Sequence, residues 1–141
     1  MNKIVSYDGI GYVAATYPVD STTKTYLLAN KVNAKTGNVD INDARLAVKL
    51  NSDGTVGFGA STPTTADAVF GVIIAYEMDG FATIQTSGYV EGVPTVAAID
   101  SGVKTLAVNN AGVVKSVDST DSRAEVILPS TSGSLYATLL F

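Results

Sequence analysis

Phe70-Gly71-Val72-Ile73-Ile74-Ala75-Tyr76-Glu77-Met78-Asp79-Gly80-Phe81-Ala82-Thr83-Ile84-Gln85 decides the fold class. The first seven residues are an apolar, β-branched run, Met78-Asp79-Gly80 closes it, and Phe81 to Gln85 returns. An Asp-Gly step reaches positive φ at little steric cost. Two extended runs meeting there therefore predict a tight antiparallel hairpin. Downstream, Val103–Val108, the turn Asn109-Asn110-Ala111-Gly112 and Val113–Val117 repeat the device.

Period-two alternation marks further strands. Leu46, Val48 and Leu50 share one face of Arg45–Leu50, with Arg45 and Lys49 opposite. In Arg123–Leu128, Ala124, Val126 and Leu128 point inward. At the end of the chain Leu135, Ala137, Leu139 and Phe141 alternate with Ser134, Tyr136 and Thr138. Such half-buried strands belong to antiparallel sheets. An internal echo supports this: Val48–Val56 aligns with Leu106–Val114, each a strand, a four-residue turn ending in glycine (Gly54, Gly112) and a second strand. Helix signals are sparse. The best, Thr62-Pro63-Thr64-Thr65-Ala66-Asp67, offers a threonine cap with proline at the first helical position and predicts a single turn.

These patterns predict an all-β single domain, an antiparallel sandwich or barrel of β-tulip-like form, with a less regular N-terminal segment. Residues 29–44 are polar and weakly periodic and read as a long loop. The boundary falls between an N-terminal segment, 1–43, and a β-domain, 44–141. Four of the seven tyrosines, Tyr7, Tyr12, Tyr17 and Tyr26, lie in the N-terminal segment. Tyrosine couples a large apolar area to a polar tip and is enriched at interfaces, which makes these four candidate contact residues. Leu140 joins them. Adjacent strand residues face opposite ways, so Leu139 and Phe141 can reach the core while Leu140 needs another cover, such as a neighbouring subunit.

Composition narrows the chemistry. With 46% hydrophobic and 16% charged residues the chain is a packed globular domain, not a disordered one. It contains no cysteine, hence no disulfide, thiolate nucleophile or zinc–thiolate site. It contains no histidine, the usual general base near neutral pH and the commonest transition-metal ligand. The net charge of −4 is scattered without a basic stripe, which argues against nucleic acid as a partner. Phe70–Tyr76 is too short to cross a bilayer, and the first eight residues lack the apolar core of a signal peptide.

Individual motifs fail on context. Gly9-Ile10-Gly11-Tyr12-Val13-Ala14 matches G-x-G-x-x-A, but Tyr12-Val13 and Thr16-Tyr17-Pro18 favour extended chain where a dinucleotide site needs a helix. Asn51-Ser52-Asp53-Gly54 matches the centre of an EF-hand loop, yet its first and twelfth positions would be Lys49 and Ala60 instead of carboxylates. Asp118 and Asp121 read as a solvated loop, Asp53, Asp79 and Asp100 as turn residues, and Glu77 and Glu91 as solvent-facing. No catalytic residue, cofactor or metal ligand is expected, and the chain reads as a non-enzyme.

Beyond these readings, the order of features from Ala44 to Phe141 resembles the capsid cement, or head-decoration, proteins of tailed bacteriophages. The resembling elements are Arg45–Val56, Phe70-Gly71-Val72 leading to Asp79-Gly80, Gly88-Tyr89-Val90, Ile99–Val103 and Val108–Val114. The resemblance implies a structural virion protein on the outer capsid surface, commonly a homotrimer. It would stabilise the shell by bridging major capsid protein subunits, with no chemistry and no membrane or nucleic-acid contact. The alternative is a non-catalytic β-sandwich module that binds carbohydrate or a host surface, against which the absence of tryptophan counts.

Overall fold

The computed structural model describes residues 13–30, 45–76, 80–117 and 124–141. Among these residues strands dominate, and the fold is all-β and barrel-like with one helix. In chain order these are β1 (Val13–Pro18), α1 (Ser21–Asn30), β2 (Ala47–Leu50), β3 (Val56–Gly57) and a 3-10 turn (Thr65–Asp67). Then follow β4 (Gly71–Tyr76), β5 (Phe81–Ser87), β6 (Tyr89–Pro94), β7 (Gly102–Lys104) and β8 (Leu106–Val108). β9 (Val114–Ser116), β10 (Ala124–Leu128) and β11 (Tyr136–Leu140) complete the chain.

The first sheet, in the order β1-β5-β4-β2-β3, curls into a half-barrel. Its two edges touch at one point, where Val19 bridges Val56 and the Asp20 N–H donates to the Val56 carbonyl at 2.9 Å. Inside lie Leu27, Leu46, Val48, Val56, Ile73, Tyr76, Ala82 and Ile84. A second sheet, β6-β11-β10-β7, and the β8–β9 hairpin enclose another core around Ala47, Val72, Val93, Leu106, Val126 and Leu139. β2 and β4 are shared walls: Val48 and Ile73 face one core, Ala47 and Val72 the other. A wall buried on both sides must be apolar on both, which is why Phe70–Tyr76 reads as a continuous run without alternation.

The predicted hairpins form. β4 and β5 pair antiparallel, and Gly80 has φ +91°; the turn residues 77–79 lie outside the described residues. The echoed turns are alike in detail. Asn51 and Asn109 N–H groups donate to Thr55 and Val113 carbonyls, Gly54 and Gly112 N–H groups donate back to the Asn51 and Asn109 carbonyls, and both glycines have positive φ.

Several expectations are corrected. Ser21–Asn30 is a full helix, whereas the expectation held one helical turn at most. Its anchor is Asp20, whose carboxylate accepts the Thr23 N–H at 2.8 Å in an N-cap. The expected single turn exists but starts two residues later, capped by Thr64 instead of Thr62. Leu50 is exposed, since β2 has run past the core by that point, and Ala47 is buried instead. The run Val103–Val108 is two strands: β7 pairs with β10, and β8 pairs with β9. Thr138 is buried although it alternates with core residues, because both neighbouring strands carry an irregularity opposite it. The expected 29–44 loop lies outside the described residues beyond Asn30.

Candidate functional site

The second sheet ends in two adjoining loops, one of which lies within the longest uncharged run of the sequence, residues 126–141. Tyr136 of β11 pairs with Pro94 of β6. Beyond the strands, the Thr95 N–H donates to the Leu135 carbonyl at 2.9 Å and Ile99 bridges Ser130. The buried Ser130 hydroxyl locks the loops together, accepting from the Ile99 N–H at 2.8 Å and donating to the Ala97 carbonyl at 3.2 Å. Tyr136 is 61% and Val96 45% exposed, and Leu135 is also exposed. Residues 92–99 and 129–141 contain none of the nine basic and thirteen acidic residues. An exposed tyrosine and two exposed aliphatic side chains, set among small residues in segments without charge, share two traits of interface centres, an aromatic and the depletion of charge.

Of the expected contact residues, Tyr7 and Tyr12 lie outside the described residues. Tyr17 and Tyr26 are half-buried against the half-barrel core. Tyr17 meets Phe70 edge-on and Tyr26 meets Phe58 edge-on, each with ring centroids 5.3 Å apart. Leu140 is half-buried on the face of β11 that also carries Tyr136, and is paired across the sheet with Tyr89 and Glu125. Tyr17 and Tyr26 thus belong to the half-barrel, and Leu140 to the second sheet. Tyr136, the most exposed of the large aromatic side chains among the described residues, was not singled out by strand periodicity. The signal that finds it is the absence of charge over residues 129–141.

A second feature is a groove of about 390 Å³ where the start of α1 meets the two asparagine turns. Asp20, Thr22, Tyr26, Lys49, Asn51, Phe58 and Asn110 are among the residues that line it. The Asn51 amide donates to the Asp20 carboxylate and to the Thr55 hydroxyl, both at 3.0 Å. A β-carbon at Gly57 would overlap the Asp20 carboxylate, so glycine is what admits that side chain. Lys49 is engaged by Asp67 at 2.9 Å. Burial alone would raise the Asp67 carboxyl, but the Lys49 hydrogen bond and charge and the Thr64 N–H outweigh it and hold the group below its ordinary value.

Among the described residues no three acidic side chains converge as a metal site would require. Val13 and Ala14, the described part of the G-x-G-x-x-A match, open a strand instead of a helix. Asp53 caps its turn, accepting from the Thr55 hydroxyl and N–H, and these bonds lower its pKa. Comparison with protein-family models, with curated proteins and with solved structures finds no match.

Proposed function

We propose that this protein is a structural cement protein that binds the outer surface of a tailed-phage capsid as a homotrimer and bridges major capsid protein subunits without performing chemistry. The observation that carries the reading is the uncharged, exposed end at residues 94–99 and 129–136 of a chain with net charge −4. Identical acidic copies repel wherever their charged surfaces meet, so a contact between them is best made where charge is absent. The ordered series of hairpin motifs from Ala44 to Phe141 supports the capsid assignment, and the lack of histidine and cysteine supports a role without catalysis. Many copies, each burying a modest interface, would resist internal pressure together.

The test is co-sedimentation of purified protein with undecorated phage heads, with copies per particle counted by mass spectrometry. Stoichiometric attachment that survives molar salt is expected, because an uncharged contact gains little from electrostatics that salt could screen. Failure to sediment with heads at low salt would overturn the capsid reading. A monomer by light scattering at high concentration would remove the trimer.

A further inference from the structure

We propose that the groove between α1 and the two asparagine turns is a binding site for a neutral carbohydrate. Asp20, Thr22, Asn51 and Asn110 would engage hydroxyls, and the Tyr26–Phe58 pair would face the ring's carbon–hydrogen surface. The groove shares no residue with the uncharged end of the second sheet, and the proposal does not rest on capsid attachment.

Its volume of about 390 Å³ falls in the range of small-molecule sites, roughly 300–1,000 Å³. The lining then selects the ligand class. Lys49 is held by Asp67, and Asp20 stands in the same groove, so a phosphate or carboxylate would meet a carboxylate and a cation already engaged. A purely apolar ligand would strip water from Asp20, Asn51 and Asn110 without replacing their hydrogen bonds. A polyhydroxylated ring satisfies both constraints. Its hydroxyls donate and accept, matching a carboxylate that accepts and amides that do both. Its carbon–hydrogen face suits an aromatic wall.

The polar groups are also fixed before any ligand arrives. Asp20 Oδ1 accepts from the Thr23 N–H and Oδ2 from the Asn51 amide, which leaves lone pairs on both oxygens for hydroxyl donors. Asn51 is further held by Thr55. The Gly59 N–H donates to the Asn109 carbonyl at 3.1 Å, docking the turn that carries Asn110 against the chain after β3. Groups held in place this way lose little freedom when a ligand binds.

The test is saturation-transfer NMR on the full chain with the methyl glycosides of glucose, galactose, mannose and N-acetylglucosamine. Each is used at about 20 mM, enough to populate a site of millimolar Kd. Inorganic phosphate at the same concentration serves as the charged comparison. At least one glycoside should bind and phosphate should not. Thr22 and Asn110 are exposed, so Thr22→Val with Asn110→Ala should preserve the melting temperature. Loss of their hydrogen bonds should weaken glycoside binding by about tenfold or more. The proposal is overturned if none of the four glycosides binds, if phosphate binds in their place, or if the double variant binds as well as the parent.

Discussion

Lys49 Nζ lies 2.9 Å from Asp67 Oδ1 and ties β2 to the 3-10 turn that precedes β4. The Asp67 side chain is almost fully buried, and its other oxygen accepts the Thr64 N–H in a capping box. One carboxylate therefore closes a turn and neutralises a half-buried cation.

Acid should weaken this link. The Asp67 carboxyl is held below its ordinary value of 3.8. A depressed native pKa contributes stability that is present above the unfolded value and is lost as pH falls through the native one. Thermal melts should therefore show a decline beginning as pH approaches 3.8 and continuing below it. Asp67→Asn should flatten that limb. At pH 7, Asp67→Ala should cost about 2–3 kcal/mol, from the lost cap and the stranded lysine. An Asp67→Asn protein with the same acid limb as the parent would remove the carboxylate from this role.

The two echoed turns should respond differently to the same substitution. Gly54 and Gly112 both have positive φ, at +86° and +76°, so alanine strains either backbone by about 1–2 kcal/mol. A β-carbon at Gly54 meets nothing within 4 Å, whereas at Gly112 it comes within 2.6 Å of the Phe58 ring and 2.8 Å of Leu46. Gly54→Ala should stop at the backbone cost, and Gly112→Ala should add about 1–3 kcal/mol of overpacking. Equal losses in chemical denaturation would contradict the packing described around Gly112.

The legible parts of this fold are those where one local rule decided the outcome. Asp79-Gly80 and the Asn-to-Gly turns announced their hairpins because few residues other than glycine tolerate the turn backbone. Helix α1 was illegible because Thr22, Thr23 and Thr25 are poor helix formers and, among its residues of described burial, only Thr23 and Leu27 are buried, leaving no apolar stripe to read. Asp20 was its only announcement. Leu50 was misplaced because alternation says which side a residue faces, not whether a core still lies there. The groove was illegible for a different reason: residues 20, 51 and 110 meet only through the closure at Val19–Val56 and the docking of the second turn, both long-range contacts.

Ser130 should be essential to the shape of the uncharged end. Its hydroxyl accepts the Ile99 N–H inside the protein, and alanine would leave that buried donor without this acceptor. Ser130→Ala should cost about 1–3 kcal/mol, the usual range for a stranded buried polar group. Ser130→Cys, of similar size but a weak acceptor, should recover little of it. Unchanged stability in both variants would show that the loops are held by the flanking strand pairing alone.

Tyr136 and Val96 separate folding from assembly. Both are exposed and neither belongs to a core, so Tyr136→Asp and Val96→Asp should change monomer stability by no more than about 0.5 kcal/mol. Each places a negative charge in a segment whose sequence carries none. If identical copies meet through this end, the added charges face one another and self-association should fall at least about tenfold, with partial recovery in high salt. The measurements are sedimentation velocity for oligomeric state and co-sedimentation with undecorated heads for attachment. Loss of both would make the uncharged end the shared contact, and loss of self-association alone would leave attachment to another surface. If both variants assemble and attach like the parent, the end at residues 94–99 and 129–136 is solvent surface in the particle and the contact lies elsewhere on the chain.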